Sequence, residues 1–264
     1  MTRAKKAREL RRQAALPPPV RRKGASRRAS PKVLVIAAVV ALVIGGAIAG
    51  IALALGGNGG SSSDVPARGT LVNALPGAAE AERLFAGIPQ QGNTLGSSSA
   101  PVTMVEYVDL QCPHCQEFEA TVMPTIVRRY VRSGKLKVLA RPIAFIGPDS
   151  VRGRDASIAA GRQRRMFNFM QVTYANQGIE NTGWLDDEFV QKAAASVPGM
   201  DVPQLVDAMD SPPVADQART FTAQAQADRV PGTPALYVGP SGGRLRYTAA
   251  TTANLTAAIE RSLG

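Results

Sequence analysis

Cysteine and histidine are scarce in this sequence of 264 residues, which holds two cysteines and one histidine. Cys112 and Cys115 lie three positions apart, so they cannot form a disulfide that staples distant parts of the fold. A closed zinc site takes four Cys, His or acidic ligands. The single histidine lies between the two cysteines, and a Cys/His zinc site therefore cannot be completed. No metal is predicted, and the two sulfurs must act as a local pair.

Net charge is also missing from most of the chain. The formal charge of +11 arises entirely within residues 1–32, which contain twelve Lys or Arg and one acid. The remaining residues hold 19 basic and 19 acidic side chains and are neutral. A folded part without net charge does not attract polyanions, so nucleic-acid binding is disfavoured.

A long apolar run, residues 33–55, has no charged or hydrogen-bonding side chain. As a helix it would extend ~34 Å, enough to cross a hydrocarbon core of ~30 Å. The basic block before it predicts a single-pass cell-membrane protein with a cytoplasmic N-terminus and residues 56–264 outside. A cleaved signal peptide is the alternative, with Ala52-Leu53-Ala54 as the cleavage site. The run is longer than the roughly 7–15 apolar residues of such peptides.

Composition and periodicity divide the chain into six segments. They are a disordered basic tail (1–32), a transmembrane helix (33–55), a flexible linker (56–74), a first α/β part (75–149), a helical insertion (150–227) and a second α/β part (228–264). The α/β parts have strand patterns at 102–109, 135–143, 235–238 and 244–248. Helices are predicted at 76–86, at 113–132 with a kink at Pro124, and at 253–263 with Thr252 as N-cap. We therefore predict an α/β fold in which the two ends form one mixed central sheet with helices on both faces.

Cys112 lies between a predicted strand and the start of a predicted helix. The unpaired N–H groups and partial positive charge of a helix N-terminus stabilise a thiolate, and His114 adds a second donor. The Cys112 pKa is therefore expected below its free value of ~8.5. A stabilised thiolate favours the reduced form and makes the disulfide oxidising, with Cys115 as the resolving sulfur. An inert structural disulfide remains the alternative at this stage.

Two stretches of the sequence carry a resemblance to a known family. Ala100–Thr103 followed by Glu106-Tyr107-Val108-Asp109-Leu110-Gln111-Cys112-Pro113-His114-Cys115 resembles the active-site region of the DsbA-like family of extracytoplasmic thioredoxin-fold proteins. Val230-Pro231-Gly232-Thr233-Pro234-Ala235-Leu236-Tyr237-Val238 resembles the cis-proline loop of that family. Glu180–Trp184 is similar to the helical insertion of its membrane-anchored actinobacterial members. The resemblance covers about residues 85–262 and implies a thioredoxin-like fold with a helical domain inserted between the two halves of the sheet.

The resemblance also implies a role for individual residues. Cys112 would be the attacking sulfur, tuned by Pro113 and His114, and Cys115 the resolving one. Glu106 would be a buried acid that passes protons to Cys115. Its alternative is an edge-facing glutamate paired with an arginine. A cis Pro234 would place the Thr233 backbone where it pairs with an extended substrate.

The expected activity is that of a protein thiol–disulfide oxidoreductase without a cofactor of its own. It would donate a disulfide to reduced, unfolded secreted or envelope proteins through a mixed disulfide at Cys112. By resemblance, a quinone-linked membrane protein, DsbB-like or similar to vitamin K epoxide reductase, would reoxidise it. Two alternatives remain open: a reductase or isomerase of the same fold, and a non-enzymatic membrane-anchored chaperone or peptide-binding module.

Overall fold

A six-stranded mixed sheet is the centre of residues 65–264, the part of the chain that this computed structural model describes. Its strands lie in the spatial order β1-β2-β4-β3-β5-β6. They are β1 (Gln90–Gln91), β2 (Thr94–Leu95), β3 (Val102–Val108), β4 (Leu136–Pro142), β5 (Ala235–Pro240) and β6 (Arg246–Thr248). The predicted basic tail, transmembrane helix and linker residues 56–64 lie outside the described residues.

Helices fill the segments between the strands. They are α1 (Ala78–Phe85), α2 (Pro113–Thr121), α3 (Met123–Ile126), a π-helical turn (Val127–Val131), α4 (Pro148–Arg162), α5 (Met166–Ala175), α6 (Asp187–Ala195), α7 (Val202–Met209), α8 (Pro212–Ala227) and α9 (Thr252–Leu263). Helices α4 to α8 form the insertion between β4 and β5, as predicted. None of the helices between residues 65 and 264 combines the length and apolar character of a membrane span.

β3 is the central strand, parallel to β4 and antiparallel to β5. All seven of its residues are buried, and successive side chains of a strand point to opposite faces. On one face the Tyr107 hydroxyl donates to Asp228, just after α8, at 2.6 Å. Its neighbour Glu106 therefore points to the other face. The predicted mixed sheet, covered on both faces, is thus present.

The predicted helix 113–132 is divided into α2, α3 and the π-helical turn. The break falls at Val122, immediately before α3, and Pro124 lies in the first turn of α3. Proline lacks a backbone N–H, so it is tolerated in a first turn but not within a continuous helix. At the last helix, the Thr251 side chain accepts from the Asn254 N–H at 3.2 Å, so the N-cap is Thr251 and not the predicted Thr252.

The end of the predicted linker, residues 65–74, is packed against the insertion. The Gly69 N–H donates to Met200 O and the Thr70 N–H to Ala195 O, both at 2.8 Å. A side chain at position 69 would collide with the Val197 carbonyl oxygen, which explains why glycine occupies this close approach. The linker boundary at residue 74 was therefore placed too late, because Gly and Ser content does not reveal backbone pairing.

Candidate active site

Cys112 occupies the N-cap position of α2, four residues after the end of β3. Pro113 follows at the first helical position, where its missing N–H costs nothing and its fixed φ suits the helix. Cys112 is 5% exposed, whereas Cys115, one turn into the helix, is completely buried. Both are free thiols in the structure. An incoming thiolate can therefore reach Cys112 more readily than Cys115.

The pKa of the Cys112 thiol is lowered from 9.0 to about 6. A hydrogen bond from Cys115 is the largest cause, and burial opposes it. The backbone N–H groups of Cys115 and His114, at the open end of α2, lower the pKa further. Cys112 is thus mostly a thiolate at neutral pH, as the strand–helix junction predicts.

Cys115 is shifted in the opposite direction. Burial raises its pKa well above 9.0, and the neighbouring Cys112 raises it further. One sulfur of the pair is therefore charged and reachable, and the other is protonated and enclosed. This division matches an attacking Cys112 and a resolving Cys115.

The Thr233–Pro234 peptide bond is cis, as predicted. The Cys112 Sγ atom lies 3.2 Å from the Thr233 carbonyl oxygen, to which it donates when it is protonated, although 121 positions separate the two residues. They meet because β5, which begins just after Pro234, is antiparallel to β3 and so starts at the edge where β3 ends. A cleft of about 450 Å³ adjoins this point, lined by His114, Glu117, Phe118, Thr121, Val122, Pro234 and Ala250–Thr252.

The backbone of His114, and not its imidazole ring, acts on the Cys112 sulfur. Its side chain is 82% exposed, and Nδ1 is 3.9 Å from a carboxylate oxygen of Glu117. Its backbone N–H, by contrast, is among the groups that lower the Cys112 pKa. The structure thus shows that the peptide group of His114 lowers the Cys112 pKa, whereas the sequence analysis expected a cationic imidazole to do so.

Glu106 lies in β3 and is completely buried. Its neighbours across the sheet are Ala140 and Leu236, and within residues 65–264 neither carboxylate oxygen has a hydrogen-bond partner. Burial therefore raises its pKa well above 4.5, and Glu119 raises it further. The alternative of an edge glutamate paired with arginine is wrong, because Arg141 contacts Tyr107 on the opposite face.

Glu119 is a second buried acid that the sequence analysis missed. It lies on α2, is 3% exposed, and has a pKa raised by burial from 4.5 to about 8. Gln171 of α5 donates to its Oε2, while Oε1 has no partner among the described residues. Its spacing of four residues from Cys115, which places both on one helical face, is the signal that could have identified it.

The segment between β3 and Cys112 is held by hydrogen bonds that sequence reasoning also missed. The Asp109 carboxylate accepts from the backbone N–H groups of Gln111, Phe145 and Ile146, so it anchors a loop. The Tyr174 hydroxyl donates to Asp109 O at 3.2 Å. Gln177 donates to Leu110 O at 2.8 Å and to Cys112 O at 3.2 Å. The insertion therefore fixes the position of Cys112.

Comparison with known proteins gives a consistent result. The family described as Thioredoxin matches residues 90–261. A probable disulfide bond formation protein D of Bacillus anthracis is 30% identical over 158 residues, which cover 59% of this chain and 72% of the relative. Disulfide bond formation protein D of Bacillus subtilis is 25% identical over 146 residues, 54% of this chain and 66% of the relative.

Solved structures show the same fold. Oxidised BdbD from Bacillus subtilis superposes with a TM-score of 0.59 at 22% identity, covering 67% of this chain and 97% of BdbD. Wolbachia pipientis α-DsbA1 superposes with a TM-score of 0.56 at 19% identity, covering 70% of this chain and 96% of that protein. The thioredoxin-like fold expected from the sequence is thereby confirmed.

Proposed function

This chain belongs to the DsbA-like family of thioredoxin-fold thiol–disulfide oxidoreductases, and we propose that it acts as a disulfide donor for secreted or envelope proteins. The observation that carries the proposal is the position of Cys112 at the open N-terminus of α2, beside Cys115, which lowers its pKa to about 6. A dithiol stabilised as a thiolate resists oxidation, so its disulfide gives up its bond readily to other thiols.

Cys112 takes part in both steps of the proposed reaction. A client thiolate attacks Sγ of Cys112 in the Cys112–Cys115 disulfide, a client–Cys112 disulfide forms, and Cys115 leaves and takes up a proton. A second client thiolate attacks the client sulfur of this mixed disulfide. A disulfide then forms within the client, and Cys112 departs as a thiolate. The client has lost two electrons, and the cysteine pair has gained them.

The remaining site residues support this reaction. Thr233 and Pro234 border Cys112, where the Thr233 backbone can align an extended client segment beside the sulfur. Glu106 lies buried in the strand that leads to the site, and its raised pKa suits a group that holds a proton for Cys115. Pro113 and the His114 backbone shape the first turn of α2.

A reductase or isomerase of the same fold is the competing function. The redox equilibrium with glutathione distinguishes them. We expect a reduction potential nearer to the ~−120 mV of a strong oxidant than to the ~−270 mV of thioredoxin. A value close to that of thioredoxin would overturn the donor function. A peptide-binding module without enzymatic action would retain its function in Cys112→Ser, whereas we expect this variant to lose client oxidation completely.

We further propose that residues 33–55 anchor the protein in the cell membrane and place residues 56–264 outside the cytoplasm. The basic residues before this run support that orientation. A quinone-linked membrane partner, DsbB-like or similar to vitamin K epoxide reductase, would return the reduced pair to the disulfide. Labelling Cys112 in intact spheroplasts with a membrane-impermeant maleimide tests the location. Absence of labelling before lysis, with labelling after it, would contradict the proposal.

A further inference from the structure

Glu119 has no part in the reaction described above, yet it is buried in the core beside the site. Together with Glu106 it forms a pair of carboxyl groups, which we call the carboxyl pair. Three of their four oxygen atoms have no hydrogen-bond partner within residues 65–264. Burying an unpartnered carboxylate is costly, so such groups stay protonated unless a function requires otherwise.

The geometry places the pair next to the resolving sulfur. Glu119 follows Cys115 by four residues on α2, a spacing that brings Cβ atoms within roughly 5–6 Å of each other. Both residues are buried. Glu106 lies on the sheet face opposite Tyr107 and is close enough to Glu119 for the charge of Glu119 to raise its pKa. Cys115 and the carboxyl pair thus lie in one buried cluster.

The surroundings of the carboxyl pair offer no positive charge. The strand neighbours of Glu106 are Ala140 and Leu236, and neither Glu106 nor Glu119 is acted on by a cation of the described chain. From α5, Gln171 and the buried phenol of Tyr174 face the cluster. The carboxylates of Asp109 and Glu260 have hydrogen-bond donors of their own. Asp109 accepts from three backbone N–H groups, and Glu260 of α9 accepts from the Tyr130 hydroxyl. The carboxyl pair must therefore balance its charge by keeping protons.

We propose that Glu119 is a positioning residue that keeps Glu106 protonated, so that the carboxyl pair holds a proton for Cys115 at a pH where a lone carboxyl group would be ionised. The inference rests on the proposed function. When a client opens the disulfide, the Cys115 thiolate is released into the core. It takes a proton from the pair, and one carboxyl becomes a carboxylate. When Cys115 attacks Cys112 in the reverse direction, its proton returns to that carboxylate.

The acidities within the cluster agree with this order of events. Glu119 has a pKa of about 8, and ionisation of Glu119 opposes ionisation of Glu106. Cys115 holds its proton more tightly than an ordinary thiol. Transfer from the carboxyl pair to the Cys115 thiolate is therefore downhill, and the proton does not have to come from water through the packed core.

The test uses the full chain in its oxidised form and reduced glutathione as the thiol. The rate of opening of the Cys112–Cys115 disulfide is measured from pH 5 to 9 and corrected for the glutathione thiolate fraction. We expect the wild-type rate to fall as the carboxyl pair loses its proton. Glu119→Gln should move the midpoint of this fall down by about one pH unit, so that the variant rate is up to about tenfold lower at pH values above the wild-type midpoint. Glu188→Gln, an exposed change on α6, is the matched control.

A second variant keeps the test decisive if Glu119→Gln misfolds. The hydrogen bond from Gln171 lowers the Glu119 pKa, so Gln171→Leu should move the same midpoint upward. The ultraviolet absorbance of the Cys112 thiolate, measured on each variant after reduction, reports whether the site is intact. Unchanged midpoints in well-folded variants, or an equal shift in Glu188→Gln, would overturn the inference. A reductant-like potential would instead overturn the donor function and leave these midpoints unaffected.

Discussion

At the scale of single residues, Cys112 and Cys115 differ in acidity although they share one helical turn. Cys112 faces the open N-terminus of α2, where backbone N–H groups stabilise its charge. Cys115 points into the core, where burial and the neighbouring Cys112 oppose a charge more strongly than its hydrogen bonds favour one. The order of attack by the two sulfurs follows from this difference in their surroundings.

Serine substitutions should separate the two roles. In Cys115→Ser, Cys112 can still form a mixed disulfide, but no second sulfur is present to resolve it. We expect this variant to accumulate a one-to-one adduct with oxidised glutathione at pH 7, visible by mass spectrometry. Cys112→Ser should form little adduct, because the remaining sulfur is buried and protonated. An equal yield of adduct in both variants would contradict the assignment.

The lowered Cys112 pKa also predicts how stability depends on pH. The folded thiol ionises near pH 6 and the unfolded one near 9, so ionisation stabilises the reduced fold above pH 6 and this gain is lost as pH falls through 6. The oxidised protein has no such group. Reduced protein should therefore gain stability over oxidised protein between pH 6 and 9, by up to ~1.4 kcal/mol per pH unit. Urea unfolding of both forms across this range measures the difference, and a constant difference would contradict the shift.

At the scale of elements, the insertion holds the segment that presents Cys112. Gln111, which is completely buried, donates to the Ser150 hydroxyl at 2.9 Å and accepts from the Asn181 N–H at 2.7 Å. These bonds connect the end of β3 to α4 and to the loop after α5. The site thus depends on helices that lie far from it in sequence.

Gln111→Leu tests this connection. Leucine fills much of the same space but leaves the Asn181 N–H without a partner and removes the bond to the Ser150 hydroxyl. Leaving a buried donor unpaired costs ~1–3 kcal/mol. We expect urea unfolding to show a loss of that size. Gln226→Leu on the exposed side of α8 is the matched control and should change stability by less than about 0.5 kcal/mol. A loss no larger than that of the control would show that the connection is dispensable.

Glu119, the buried acid of α2, gives the stability of the fold its own dependence on pH. Between pH 4.5 and about 8, folded Glu119 keeps a proton that the unfolded chain releases, so stability falls as pH rises. Glutamine does not titrate, so Glu119→Gln should remove the contribution of this proton. The slope of the unfolding free energy against pH should become less steep by roughly 1.4 kcal/mol per pH unit. Oxidised protein is used, because Cys112 does not titrate in it. An unchanged slope would show that Glu119 is ionised in the fold.

At the scale of the whole molecule, one core joins the sheet and the insertion. Buried residues of β3, α2, α5 and α8 belong to a single cluster. We expect one cooperative unfolding transition. The fluorescence of Trp184, the only tryptophan, reports the insertion, and the near-ultraviolet dichroism of the tyrosines, four of which lie in the sheet half, reports mainly that half. The two midpoints in urea should coincide, and separate midpoints would show that the insertion unfolds by itself.

The sequence predicted local elements better than it predicted contacts between distant segments. β3, β4 and the Cys112 junction follow from apolar runs and helix-start residues, and the resemblance supplied the meeting of Cys112 with Thr233. The two-residue strands β1 and β2 are too short for a periodic signal. Glu119 was missed because its role depends on which helix face the tertiary structure buries, and Gln177 because it lies in the loop after α5. Hydrogen bonds between segments about 65 residues apart, such as Gln177 to Cys112, leave no local trace.

The long separation between Cys112 and Thr233 has a consequence for biosynthesis. A ribosome completes Cys112 and Cys115 more than a hundred residues before the strand that forms the other side of the site, β5. The central strand β3 lacks one of its two partners until then, and contacts so distant in sequence form late and slowly. A nascent chain thus carries its two thiols without the finished environment around them, so full reactivity arises only when synthesis is nearly complete.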